Sequence, residues 1–386
     1  MRAYFDHNAT TPVASEVLEA MRAVFLEDFG NASSVHAYGQ AARRRLEQAR
    51  REVALQLGVA PGEIVFTSGG TEADNLAILG LVRNDPRPRK HVITTAIEHP
   101  AVLEACAQLE REGVEVTRVP PDSRGVVDPD AVRRALRAQT VLVSVMHVNN
   151  ELGTIQPVAE IARLAREAGA WVHSDGVQAV GKLRVNLREL GVDLYSISAH
   201  KIYGPKGVGA LYVRQGVPVG RIQFGGHQER DRRPGTENVP GAVGLATALS
   251  LVGRDLDRES WRLTRLRERF EEGVLARIPE VVINGAGAPR CPNTSNLTFR
   301  GVDGEALLIA LDLAGFAVSS GAACSSGASE PSHVLSAIGL GRREARGSVR
   351  VSMGRLNDER QVDALVEALA EAVTRLRALA PAEERV

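Results

Sequence analysis

Cysteine, lysine and net charge are all scarce in this 386-residue sequence. There are three cysteines, at 106, 291 and 324. An odd number so widely spread argues against a disulfide framework and for a reducing, cytoplasmic setting. No CxxC pair or Cys/His spacing marks a metal site, so none is expected. Lys+Arg and Asp+Glu both number 47, and this balance leaves no electrostatic footprint for nucleic acid or an anionic membrane. The longest uncharged apolar stretch, 238–253, contains Pro, Gly, Thr and Ser and is too short to span a bilayer. The N-terminus reads straight into a strand and lacks the layout of a signal peptide. Among the 47 basic residues only four are lysines, at 90, 182, 201 and 206.

A hydrophobic content of 44% supports a large core, and the length suggests two units at about 150 residues each. Short β-branched runs at 64–67, 91–95, 115–119, 141–147, 171–174, 194–198 and 210–213 alternate with helical patterns at 71–82, 100–111, 128–137 and 157–168. This βαβ rhythm predicts an α/β fold with an open, mainly parallel sheet covered on both faces. After about residue 255 the rhythm changes. A charged helix over 261–276, strands near 281–284, 296–299 and 348–352, a helix over 304–314 and a terminal helix follow. On that last helix Val362, Leu365, Val366, Leu369, Val373 and Leu376 share one face. The expected organisation is a large unit over 15–255 and a smaller α+β unit over 256–386. Residues 1–14 are too short to fold alone and are expected to pack against the body.

Several segments carry chemistry-bearing residues. Gly69-Gly70-Thr71 lies between a strand and a helix, either as a simple turn with Thr71 as N-cap or as an anion cradle. It matches neither GxGxxG nor a Walker loop. Ser198-Ala199-His200-Lys201 closes a strand at the sheet edge where ligands of such folds bind. A lysine kept there in so lysine-poor a chain suggests an amine for Schiff-base work, although an arbitrary lysine is usually a solvated one. Asp175, directly after an apolar strand, suits either a cationic heterocycle nitrogen or a helix N-cap. His99 stands at the mouth of a βα loop, and residues 224–236 form a long Gly-rich polar loop. Arg350, inside a short β pattern, can clamp a carboxylate or lie on an edge strand. Cys324 sits in a run of small residues, Ser319 to Gly327, which predicts a reachable thiol. Cys106, within a helical pattern, reads as a small core residue.

Taken together, Tyr4–Pro12, Asn31–His36, Met146–Gly153 and the Ser-Ala-His-Lys, Arg-Pro-Gly-Thr and Ser-Ser-Gly-Ala-Ala-Cys segments resemble the pyridoxal-phosphate-dependent cysteine desulfurases of the NifS/IscS type, members of the class V aminotransferase family of fold type I. The likeness runs nearly end to end. It implies a large domain with a seven-stranded, mainly parallel sheet between helices, and a smaller C-terminal domain. It implies that Lys201 holds pyridoxal 5′-phosphate covalently, Asp175 pairs with the ring nitrogen and His99 stacks on the ring. Asn150 and Gln178 would reach the ring's phenolic oxygen. Gly70, Thr71, Ser198 and His200 would hold the phosphate, joined by Thr236 of a second subunit, which makes a homodimer with a shared site the expected state. Arg350 would bind the carboxylate of L-cysteine with help from Asn31 and Asn150. Cys324 would take the sulfur as a persulfide and His99 would serve as acid/base partner.

The implied reaction yields L-alanine and passes sulfur to an acceptor such as an iron–sulfur scaffold, or toward tRNA thiolation. A selenocysteine lyase or aminotransferase of the same fold, or a non-catalytic scaffold, is the alternative. Transamination needs no reachable thiol, and a scaffold would not need Lys201, Cys324 and Arg350 together. Two positions depart from the family's usual pattern: Gly176 stands where alanine is common, and His7 where another polar or aromatic residue is frequent.

Overall fold

The computed structural model describes residues 2–320 and 331–379. After a two-residue strand, β1 (Ala3–Tyr4), come β2 (Ile64–Thr67), β3 (His91–Thr95), β4 (Glu115–Val119), β5 (Thr140–Ser144), β6 (Trp171–Asp175), β7 (Leu194–Ser198) and β8 (Gly209–Val213). β2 to β8 form one sheet in the order β2-β8-β7-β6-β5-β3-β4. β8 runs antiparallel to both neighbours, and the other pairs are parallel. Every residue of β3, β5, β7 and β8 is buried, as expected of strands covered on both faces.

Alternation along the strands sorts side chains to two layers. Val65, Val92 and Leu142 pack with helices Gly70–Asn84 and Pro100–Arg111. Ile64, Phe66, Ile93 and Val143 face the opposite layer, built on helices Ala37–Leu57, Val158–Glu167 and Val239–Arg254. Because the strands share a direction, the chain leaves β2, β3, β5, β6 and β7 at one common edge. β5 ends at Ser144 rather than at 147, yet Val145 and His147 still donate backbone bonds to His173 and Asp175 of β6.

The helices Ser15–Leu26, Ala37–Leu57 and Val239–Arg254 were not apparent from the strand–helix alternation. Val239–Arg254 carries no charge before Arg254 and is buried along most of its length, so it has no polar face to mark it. The charged helix starts at Leu256, five residues before the expected 261.

Beyond it, β9 (Val281–Asn284), β10 (Thr294–Phe299) and β12 (Ser348–Ser352) form an antiparallel sheet in the order β12-β10-β9, while β11 (Phe316–Ala317) pairs in parallel with β1. Phe270, Leu297, Phe299, Leu307, Val349, Val351, Leu365 and Leu369 make its core, and Phe5 is completely buried among them. Residues 5–14 then cross to the larger layer. Thr11 and Ala14 donate backbone bonds to the carbonyls of His200 and Tyr203.

Gly176 is explained by its neighbour on β7. A Cβ at this position would lie 1.9 Å from Cε1 of Tyr195, a fully buried ring whose hydroxyl is 2.8 Å from His147 Nδ1. The tyrosine fills the space a side chain at 176 would need. Gly176→Ala is therefore expected to destabilise the protein by about 2 kcal/mol, the usual cost of overpacking. In a Tyr195→Leu background the same change should cost less than half as much. Urea melts of the four proteins check this, and an equal cost in both backgrounds would refute it.

Candidate active site

The common edge of the parallel strands collects most of the residues singled out above, at the position where open α/β sheets bind ligands. Lys201 ends the short turn Ala199–Lys201 that follows β7. Its Nζ donates to the carbonyl oxygens of Asn8 (2.6 Å) and Ala9 (2.8 Å). His200 places Nδ1 3.1 Å from Thr10 Oγ1, and burial together with the nearby lysine charges pulls its pKa down to about 4, so the ring is neutral.

Asp175 is the last residue of β6 and is buried. Its Oδ1 accepts from Val177 N at 2.9 Å, closing a turn; no helix starts there, so the N-cap role is absent. Burial raises its pKa to about 6. The charges nearest it are another acid, Asp74, and the imidazoles of His99 and His173.

His99 caps helix Pro100–Arg111, its Nδ1 accepting from Ala101 N at 3.1 Å. That contact requires the neutral ring to carry its proton on Nε2. Burial lowers the pKa, while the Asp175 carboxylate works in the opposite direction.

Helix Gly70–Asn84 begins with Gly69 at its N-cap and no capping side chain, so Thr71 is not the cap. A Cβ on Gly70 would meet Val177 Cγ2 at 2.8 Å, and one on Gly69 would come to 3.9 Å from Ser198 Oγ. The helix entrance is thus a bare backbone cradle facing the Ser198 hydroxyl. Gln178 is held from two sides: its Nε2 donates to Asn8 O (2.9 Å) and its Oε1 accepts from the buried amine of Lys182 (2.6 Å).

Arg350, on β12, is buried. Its Nη2 pairs with Asp6 Oδ1 at 2.7 Å and its Nη1 donates to Asn150 O at 3.0 Å. Its Nε is buried with no hydrogen-bond partner among the described residues. Asn150 is tied in further through Asn8 Nδ2 at 3.1 Å. Asn31 and Thr236 do not join this cluster. Both are exposed, on segments that meet at a cleft lined by Ala32, Ser33, Arg50, Glu229 and Glu237. There Glu229 accepts a bidentate pair from Arg50 at 2.7 Å, and Glu229, Arg230 and Asp231 adopt left-handed backbone. Cys324 lies outside the described residues. Cys106 and Cys291 are buried, and burial raises both thiol pKa values, Cys106 to about 12, which makes them inert.

The residue-by-residue reading left Asp6, Asn8 and Lys182 without roles. Asp6 and Asn8 stand in the polar Asp-His-Asn run after a two-residue strand, and only the tertiary contact shows what they hold.

The donor set fits pyridoxal 5′-phosphate. A buried acid without a strong cation beside it suits a protonated ring nitrogen, the Gly69–Gly70 cradle with Ser198 suits a phosphate, and Lys201 supplies the amine. A mainly parallel α/β sheet with these groups at one edge defines an enzyme of pyridoxal-phosphate fold type I. The model of the aminotransferase class-V family matches residues 3–365, and the chain belongs to that family. Pyridoxal 5′-phosphate is its cofactor. The chain is 47% identical over 378 residues to a cysteine desulfurase IscS of Dictyoglomus turgidum, covering 98% of this chain and 96% of that protein. A solved NifS-like protein superposes with a TM-score of 0.91 at 39% identity, covering 97% of this chain and all of that one. SspA, solved in complex with cysteine, gives 0.81 at 37% identity, covering 91% of this chain and 98% of that one.

The raised pKa of Asp175 means that ionising it costs folding stability, and the cost grows as pH climbs from near 4 to about 6. Asp175→Asn keeps the acceptor for Val177 N. The cofactor-free variant should match wild type in stability near pH 4 and exceed it by about 1–3 kcal/mol at pH 8. Thermal melts across that range test this, and a variant less stable than wild type at pH 8 would contradict it.

Proposed function

We propose that this chain is a cysteine desulfurase, converting L-cysteine to L-alanine and passing the sulfur through Cys324 as a persulfide to an acceptor protein. The observation that carries this reading is one short segment, residues 6–9, holding both groups an amino-acid substrate requires. Asp6 orients the Arg350 guanidinium, and the carbonyls of Asn8 and Ala9 hold the Lys201 amine. The Nε of Arg350, without a hydrogen-bond partner among the described residues, leaves a buried donor for a substrate carboxylate. The similarity to the Dictyoglomus IscS and to SspA, which was solved with cysteine, supports the same substrate.

Pyridoxal phosphate, when bound, supplies an electron sink for negative charge developing at the substrate Cα. The protein's own groups do the rest. Arg350 fixes the carboxylate, with Asn150 beside it; Asn31, exposed at the Arg50–Glu229 cleft, is not among the groups around Arg350. Lys201, as the free amine, would take the Cα proton. Asp175 would keep the ring nitrogen protonated, His99 would cover the ring, and Gln178 and Asn150 would address its phenolic oxygen. Gly70, Thr71, Ser198 and His200 would hold the phosphate. His99, with its proton on Nε2, exchanges a proton near the reacting sulfur. The Cys324 thiolate attacks that sulfur. A sulfur–sulfur bond forms, the Cβ–sulfur bond breaks with its electron pair left on carbon, and protonation of Cβ together with return of the proton from Lys201 to Cα gives alanine.

A second copy of the chain would bring Thr236 to the phosphate, completing a shared site in a homodimer. The exposure of Thr236 on a loop anchored by Arg233 to Glu72 at the cradle helix is compatible with this. An iron–sulfur scaffold is the proposed acceptor, following the IscS name of the Dictyoglomus relative. Among the described residues no helix is long and apolar enough to cross a membrane.

Purified protein given L-cysteine, pyridoxal phosphate and a thiol reductant should release alanine and sulfide in equal amounts. Pyruvate without alanine would instead mean β-elimination. Lys201→Ala should lose the visible absorbance of the loaded protein together with activity. Cys324→Ala should keep that absorbance and lose alanine release, so wild-type turnover in this variant would sink the persulfide step. Arg350→Ala should raise KM for cysteine by at least about tenfold, the loss expected for a charge-assisted carboxylate contact.

A further inference from the structure

Behind the site lies a cluster of buried acids that the mechanism above does not use. Asp74 projects from helix Gly70–Asn84, one turn past the phosphate cradle, and is 1% exposed; Glu98, on the loop after β3, is also 1% exposed. Each leaves one carboxyl oxygen buried without a hydrogen-bond partner among the described residues, Oδ1 of Asp74 and Oε2 of Glu98. The other oxygen of Glu98 accepts from Thr95 Oγ1 (2.7 Å) and Met146 N (2.9 Å). Both acids lie close enough to Asp175 for their charges to interact with it or with each other.

Ser196 on β7 hydrogen-bonds the Asp74 carboxyl, and the other neighbouring groups offer little compensation. His173 Nε2 is 3.5 Å from Asp74 Oδ1, yet burial holds this imidazole neutral, its pKa pulled down to about 4, while its two nitrogens contact Ser144 Oγ (2.8 Å) and Ser196 Oγ (3.0 Å). Tyr195 from β7 is buried and un-ionised near Asp175. Of the groups near the cluster that can carry positive charge, His99 faces Asp175, and His333 places its Nε2 2.9 Å from the backbone carbonyl of Glu98. An ionised carboxylate with an oxygen lacking any donor in a dry interior is far costlier than the neutral acid. Three carboxylates in one buried cluster cannot all ionise near neutral pH.

We propose that Asp74 and Glu98 are positioning residues that remain protonated, so that the cluster carries a single negative charge and that charge resides on Asp175. The inference rests on reading Asp175 as the partner of the ring nitrogen. It assigns the two neutral acids the task of keeping the carboxylate at the one position facing the cofactor. Burial raises Asp74 to about 7 and Glu98 to about 8, in keeping with this division.

Infrared spectroscopy of the cofactor-free and the loaded protein at pH 6.5 supplies the test. Wild type should show carbonyl bands of buried, protonated carboxylic acids in both forms. In the loaded protein Asp74→Asn should remove one component and Glu98→Gln another, while Asp175→Asn should remove none. Melts of the cofactor-free proteins supply a second readout. Each neutral acid is held protonated above its ordinary range, so wild-type stability should fall as pH rises toward 8, and less steeply in Asp74→Asn and Glu98→Gln. Absence of protonated-acid bands in wild type, or loss of a band in the loaded Asp175→Asn protein, would overturn the inference. If Asp175→Asn instead bound pyridoxal phosphate as tightly as wild type, the reading of Asp175 itself would fail, whatever the bands of Asp74 and Glu98 showed.

Discussion

The N-terminal strap is the constraint on which the site depends. Residues 3–5 are built into the smaller core through β1 and the buried Phe5, and residues 11–14 are bonded to the turn that carries Lys201. Between them Asp6 grips Arg350. Asn8 contacts Asn150 and Thr294 through its Nδ2, and accepts from Lys201 and Gln178 at its carbonyl. These are short-range polar contacts made by backbone atoms and short side chains, so a shift of one residue in the β1–β11 register would misplace them all. The segment therefore does two jobs: it joins two apolar cores, and it sets the distance between an amine and a guanidinium that are far apart in the sequence, Lys201 and Arg350.

Much of what surrounds this strap is costly to fold. Arg350, Lys182, Asp175, Asp74 and Glu98 are all buried, and the interior stabilises such charges only where hydrogen bonds replace water. Some are well served: Arg350 has Asp6 and a carbonyl, and Lys182 has Gln178, though burial still lowers its pKa to about 8. Yet among the described residues Nε of Arg350 has no partner, nor have Oδ1 of Asp74 and Oε2 of Glu98 behind the sheet edge, and each such atom subtracts from stability. The apolar layers on both faces of the sheet supply the surplus that makes this tolerable.

How far the sequence reveals this depends on what kind of signal a residue leaves. The strands of the large sheet were readable because two-sided burial writes short β-branched runs between turn residues, and boundaries such as Ile64–Thr67 and Leu194–Ser198 agree to the residue. Helix Val239–Arg254 left no such mark, since a helix buried all round has no polar face to give a period. At the site, residues at strand ends were legible from position alone: Asp175 and Ser198 each close a strand, Lys201 ends the turn just after one, and in a parallel sheet strand ends converge. Asp6 and Asn8 were not, because their meaning lies in contacts with residues more than 140 positions away. Asp74 and Glu98 lay in helix and loop patterns where an acid is ordinarily solvated, and only their burial distinguishes them. Cys324 was singled out by the small residues around it and by resemblance, not by any contact.

The lysine count shows how an absence can carry chemical information. Arginine stays protonated in any protein environment and cannot serve as a nucleophilic amine, so a chain that meets its general need for positive charge with arginine leaves lysine for places where the amine matters. Of the four lysines, Lys206 is exposed, and Lys90 places its amine on the carbonyl of Val82 near a helix end. The other two meet at one sheet edge, where they do different work. Lys182 is buried against Gln178 and fixes which way that amide points. Lys201 rests on two carbonyls of the strap, contacts made through hydrogen bonds to backbone oxygens. Two amines of one chemical kind are thus distinguished by their acceptors: an amide whose orientation Lys182 fixes, and backbone oxygens compatible with the reacting role proposed for Lys201.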